Sequence, residues 1–178
     1  MIAAAADVSG EDEIVVVGGQ AILGSHPDAP GELLVSMEAD VYPRHAPEKA
    51  EEIDGALGDG SPFQGQYGYY AHGVGPETVT APEGWEERLI EVQIPPRPGE
   101  EKGPVALCLE AHDLVLSKGA AGRERDWEYI KAALRAGIVE YDELLGRAEH
   151  LSIGSEARAR VRAMLEGIGR QLRLDGTR

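Results

Sequence analysis

Ile14-Val15-Val16-Val17-Gly18-Gly19-Gln20-Ala21-Ile22-Leu23-Gly24-Ser25 runs four β-branched residues straight into two glycines and a short apolar stretch. A continuous β-branched run of this length is the pattern of a strand buried on both faces. Gly18-Gly19 ends it, and a short helix over residues 20–25 can follow directly. Two prolines and a glycine within residues 25–31 then stop that helix. Met37-Glu38-Ala39-Asp40-Val41-Tyr42 alternates with a period of two. Its reading is a strand with one apolar face and one carboxylate face.

Working outward, residues 1–8 read as a short helix. Residues 47–57 carry Ala50, Ile53, Ala56 and Leu57 at helical spacing. Residues 61–82 hold Phe63, Tyr67, Tyr69 and Tyr70 among glycines without a clear period, and are expected to be an irregular excursion with, at most, short strands. Residues 88–94 alternate again, residues 95–103 form a stiff proline loop, and residues 105–109 are a further short strand. From residue 111 the spacing turns helical. One long helix, or two joined near residues 119–123, is followed by helices over 141–150 and 155–174, with Ser155 as expected N-cap. Strands before residue 110 and helices after it give an α+β or α/β fold with a helical C-terminal half. The expected division is residues 1–110 as an α/β core and residues 111–178 as a helical region packed on it.

The 178 residues are 42% apolar and carry 17 basic against 32 acidic side chains, a net charge of −15. Such a field repels phosphate backbones, so DNA and extended non-specific RNA binding are not expected. The basic surface that remains is at the C-terminal end, where Arg158, Arg160, Arg162, Arg170, Arg173 and Arg178 face Glu156, Glu166 and Asp175. Apolar runs are far shorter than the roughly 20 residues of a membrane helix. Met1-Ile2-Ala3-Ala4-Ala5-Ala6-Asp7 lacks the basic start of a secretory signal, so a cytoplasmic location is expected. Cys108, the single cysteine, has no internal disulfide partner and reads as buried.

Three features carry chemistry. Gly18 and Gly19, where a strand opens a helix, let backbone approach phosphate oxygens, although such a pair also serves any tight turn. Glu38 and Asp40 point to one face of a strand and offer the oxygen ligands a hard divalent cation needs; an exposed face of an acidic protein would look the same. Glu91 adds a third carboxylate to that face if its strand is a neighbour. Lys118 lies on the small, apolar side of its helix about two turns before Asp126. It can meet a triphosphate as a point charge, or simply pair with Asp126 or Glu124. His26, His45, His72, His112 and His150 are scattered without metal-ligand spacing and are assigned no role.

In combination these residues resemble the DNA polymerase β-like nucleotidyltransferase superfamily. There a strand ends in Gly-Gly or Gly-Ser, a short helix follows, an acid-x-acid pair sits on the next strand and a third acid on a later one. The likeness is nearest to bacterial predicted nucleotidyltransferases related to the AbiEii toxin. It is carried by residues 15–25, 37–40, 69–78 and 113–118 through Arg125-Asp126. Glu38 stands where the superfamily usually has Asp, the gap from Gly19 to Glu38 is longer than the common pattern, and Tyr129 occupies the place of a further acid.

The resemblance implies an α+β, nucleotidyltransferase-like mixed sheet with flanking helices. It further implies Mg²⁺ on Glu38 and Asp40, Glu91 as second-metal ligand or general base, and an NTP held by Gly18, Gly19, Lys118 and Asp126. A tRNA or protein acceptor and a cognate antitoxin or other protein partner are the implied partners. The contrasting class is a degenerate relative that keeps the fold and works as a binding module.

Overall fold

The computed structural model describes residues 1–174; Asp175 and Arg178, two of the charges counted above, lie outside the described residues. Five strands form one mixed sheet: β1 (Glu13–Val16), β2 (Glu38–Pro43), β3 (Tyr70–Gly73), β4 (Ile90–Gln93) and β5 (Val105–Cys108), in the order β3-β2-β1-β5-β4. β1 is antiparallel to β2 and parallel to β5, β2 is parallel to β3, and β4 is antiparallel to β5. The α+β class expected from the order of elements is therefore the observed one, with a mixed sheet, flanking helices and a helical C-terminal half.

The chain resolves into two compact units. The first comprises residues 1–79 and 88–110 and contains the whole sheet. Its helices are α1 (Ile2–Ser9), α2 (Ala50–Leu57) and α3 (Pro62–Tyr67), with a 3₁₀ turn over Gly19–Gly24 after β1. α1 stops at Gly10, whose φ of 69° is left-handed and whose N–H bonds back to the Ala6 carbonyl. Lys49 Nζ then donates to the Ser9 carbonyl at 2.7 Å and pairs with Glu11 at 2.9 Å, tying the end of α1 to the start of α2. β2 and β3 are parallel and need a crossover, which α2 supplies. The fit against β3 is close: a side chain at Gly73 would stand 1.9 Å from the Ala50 carbonyl oxygen. The proline loop joins β4 to β5 as an antiparallel hairpin, with Ile94 N–H on the Pro104 carbonyl at 2.9 Å.

Register fixes which side chains share a face, because paired residues point the same way. One face carries Tyr70 and His72, Glu38, Asp40 and Tyr42, Val15, Leu107 and Glu91; the other carries Ala71, Ala39 and Val41, Ile14 and Val16, Ala106 and Cys108, and Val92. Val15 and Leu107 on the first face, and Ile14 and Val16 on the second, are all buried, so the centre of the sheet is covered on both sides as its β-branched sequence requires. Cys108 is buried too.

The second unit comprises residues 80–87 and residues from 111 onward. Its helices are α4 (Ala111–Ala121), α5 (Glu124–Arg135), α6 (Tyr141–Ala148) and α7 (Ser155–Leu172). Residues 111–135 thus form two helices, separated at Gly122 with φ 69°. Gly154 takes the N-cap place of α7 expected for Ser155, which is instead the first helical residue. Residues 80–87 join this unit through Glu83 N–H on the His150 carbonyl at 2.9 Å and a bridge between Pro82 and Leu151. Asp113 on α4, fully buried, meets Arg147 on α6 at 3.0 Å. A side chain at Gly169 would fall 2.4 Å from the Tyr141 ring, so α7 and α6 pack at contact distance there. Among the described residues no helix is long and apolar enough to cross a membrane.

Candidate active site

β1 delivers its chain end to β2. Val17 N–H donates to the Asp40 carbonyl at 3.0 Å, and the next residue, Gly18, caps the 3₁₀ turn with φ −79° and ψ −171°. Any residue adopts that backbone, so the reason for glycine lies in space. A Cβ on Gly18 would stand 2.0 Å from Asp40 Oδ2. The glycine turn and the second carboxylate are thus in direct contact, with the carboxylate oxygen occupying the space a side chain at position 18 would take.

Glu38 and Asp40 share a face by the period of two, and both are half-buried. Tyr70, paired with Glu38 across β2 and β3, donates its hydroxyl to Glu38 Oε2 at 2.7 Å. That bond to a carboxylate, with burial and the same charge acting the same way, pushes the Tyr70 phenol up to about 12. His72, paired with Asp40, places Nδ1 3.1 Å from Asp40 Oδ1 and 3.8 Å from Glu38 Oε1. The Asp40 carboxyl is held above the ordinary carboxylate range, chiefly by burial and further by the charge of Glu38, against the lowering effect of the His72 hydrogen bond. Among the described residues, Glu38, Asp40 and His72 are one group whose ligand atoms all lie within 4.8 Å of one another.

His72, assigned no role from its spacing, is therefore the third possible ligand side chain that the sheet brings to the acid pair. Its only local signal is position two residues after Tyr70 in a glycine-rich segment without alternation. Glu91 shares the carboxylate face but stands on β4, with β1 and β5 between it and β2. Three inter-strand steps of about 4.8 Å separate it from the pair. The condition under which it would complete the cluster, a neighbouring strand, is not met.

In the helical unit, Lys118 Nζ is 3.9 Å from Asp126 Oδ1 and 4.5 Å above the Tyr129 ring. Asp126 is buried and accepts the Arg123 N–H at 3.2 Å, closing the first turn of α5. A cavity of about 480 Å³ lies on the opposite face of the sheet from the acids, between Val16, Ala39, Val92, Ala106, Cys108 and Leu23. It is apolar, and neither carboxylate lines it.

A family model described as "Nucleotidyltransferase of unknown function (DUF6036)" matches residues 1–170. The chain belongs to this nucleotidyltransferase family. No curated protein and no solved structure matches it. Membership gives the acid pair and the glycine turn a common context, since nucleotidyl transfer calls for backbone close to phosphates and oxygen donors beside them. The donor chemistry fits a divalent cation: carboxylate oxygens at separations a small ion can span, on a face with no lysine or arginine paired to them among the contacts described above.

Proposed function

We propose that this member of the nucleotidyltransferase family transfers a nucleoside monophosphate from an NTP to a hydroxyl on an RNA or protein acceptor, with a divalent cation held by Glu38 and Asp40. The observation that carries the reading is that Glu38 and Asp40, with His72, bring ligand atoms within 4.8 Å of one another beside the glycine turn, where Asp40 Oδ2 packs against Gly18. The cation, expected from the sequence to be Mg²⁺, would supply positive charge against the triphosphate and the departing pyrophosphate.

The chain's own groups orient and desolvate. Tyr70 holds one oxygen of Glu38 in place and leaves the other directed towards His72. Burial of Asp40 strengthens its interaction with any cation bound there. The Gly18-Gly19 turn admits phosphates to the acids. Lys118 and Asp126 are proposed as nucleotide contacts. In the reaction the acceptor oxygen bonds to the α-phosphorus, the bond from that phosphorus to the bridging oxygen breaks, pyrophosphate leaves with that electron pair, and the hydroxyl proton is released to the carboxylate cluster. A toxin acting with a cognate antitoxin is the proposed setting, drawn from the likeness to AbiEii relatives.

One observation favours the contrasting reading of a binding module: Asp126 and Lys118 are already engaged in capping, ion-pair and ring contacts. Incubation with each α-labelled NTP, Mg²⁺ or Mn²⁺ and a cell extract separates the two. Label on RNA or on protein, abolished by Asp40→Asn, is the expected result. Retained NTP binding with label on nothing would leave the binding module.

A further inference from the structure

We infer that His72 is a third ligand of the cation site, and that the resulting two-carboxylate, one-imidazole set prefers a first-row divalent transition cation of the Mn²⁺ class over Mg²⁺. This deepens the proposed function at the same site and rests on its metal requirement. Two observations converge. First, the ligand atoms are spaced for a shared ion: donors about 2.1 Å from a cation stand roughly 3.0 Å apart when adjacent and about 4.2 Å when opposite. His72 Nδ1 lies 3.1 Å from Asp40 Oδ1 and 3.8 Å from Glu38 Oε1, between those limits.

Second, the donors are held from outside the cluster. Tyr70 fixes the far oxygen of Glu38 at 2.7 Å, and β3 is locked against α2 at Gly73, the residue next to His72.

Ligand type then sets the preference. Mg²⁺ binds oxygen donors and gives up its water reluctantly, whereas imidazole nitrogen favours transition cations. Replacing an expected third carboxylate by imidazole removes one negative charge, which weakens attraction to any dication, and adds a softer donor, which returns affinity only for the transition ions. The discrimination is therefore a property of His72 and not of the acid pair.

The test reads metal binding without turnover. Mn²⁺ and Mg²⁺ are titrated calorimetrically into the metal-free full chain, its His72→Gln variant and its His72→Asp variant at pH 7.5, and nitrogen coupling to bound Mn²⁺ is sought by pulsed electron paramagnetic resonance. His72 is half-exposed, so both variants are expected to fold, and circular dichroism checks this. The expected result is imidazole nitrogen coupling in the parent chain and its loss in both variants. Mn²⁺ affinity should fall by about 10-fold or more in His72→Gln while Mg²⁺ affinity changes little, and His72→Asp should recover Mg²⁺ binding preferentially.

Equal loss of both metals, no nitrogen coupling, or no Mn²⁺ binding at all overturns the inference. Label transfer supported equally by Mg²⁺ and Mn²⁺ without nitrogen coupling overturns it and leaves the transferase reading standing. Nitrogen-coupled Mn²⁺ with no transfer from any NTP supports the ligand set and removes the transferase.

Discussion

Gly18 and Asp40 are the pair on which the site turns, and each gives a prediction. In Gly18→Ala the backbone needs no strained φ, so the whole effect comes from a Cβ 2.0 Å from a carboxylate oxygen. Asp40 must move. Stability should fall by about 1–3 kcal/mol in urea denaturation, and cation affinity should be lost in calorimetric titration. Shortening the partner relieves the clash: the double variant with Asp40→Ala should be more stable than the sum of the single effects predicts, and simple additivity would show that the two do not touch.

Asp40→Asn acts through charge. The Asp40 carboxyl is raised above its ordinary value of 3.8, first by burial, so its ionised form costs the folded state. That cost is absent below the unfolded pKa, where both states are protonated, and fully present above the folded one. The metal-free variant should therefore melt higher than the parent at pH 7, with the difference vanishing near pH 3. It should also lose nucleotidyl transfer by about 10³-fold or more, since charge stabilisation of the leaving group is among the largest catalytic effects. A melting advantage that grows towards acid pH would contradict the burial argument.

At the level of elements, the sheet and the helices are secured by different means. The sheet packs closely on backbone, as at Gly73 of β3 against the Ala50 carbonyl of α2. Between α4 and α6 a buried carboxylate does the work, with Asp113 fully enclosed and bonded at 3.0 Å to Arg147, which Glu143 also holds at 2.6 Å. Truncating Asp113 to Ala leaves the guanidinium without its buried partner. The loss should be about 3 kcal/mol, the low end for a broken buried pair, because Arg147 keeps Glu143 and is partly exposed. Denaturation monitored by circular dichroism measures it, and a change below about 0.5 kcal/mol, the size of a surface substitution, would place the pair outside the packing of this unit.

For the whole molecule the dominant physical fact is a net charge of −15. Many of the arginines are already paired. On α7, Arg160 pairs with Glu156, and Arg162 with Glu149 and Glu166. The arginine-rich C-terminal region is accordingly less free to receive nucleic acid than its sequence suggests. Self-repulsion among the remaining acids acts over about 8 Å at physiological salt and is screened beyond it. Raising NaCl from 10 to 300 mM should therefore increase the melting temperature, and filter binding to random-sequence RNA should give no tight complex at 150 mM salt. Tight binding that is insensitive to salt would contradict the charge argument.

Period and turn chemistry are local, and they were enough for β1, β2, β4 and β5 and for the helical character of the C-terminal half, with one or two helices open over residues 111–135. The buried run at Ile14, the alternation through Glu38 and Asp40 and the helical spacing around Trp127 each report which face a side chain takes. They were also enough to put both carboxylates on one side of a strand, because a strand alternates whatever it pairs with. Which strand lies beside which is not a local property. Pairing depends on contacts between residues far apart in sequence, and only the assembled sheet put β3 next to β2 and β4 at the far edge. β3 was expected only as a short strand somewhere within residues 61–82, because Tyr70-Ala71-His72-Gly73 lies among glycines and tyrosines without a clear period, and it packs closely on α2 at Gly73. So the acid pair and its facing are sequence properties, whereas the exchange of Glu91 for His72 beside it was decided by strand order, a matter of tertiary packing alone.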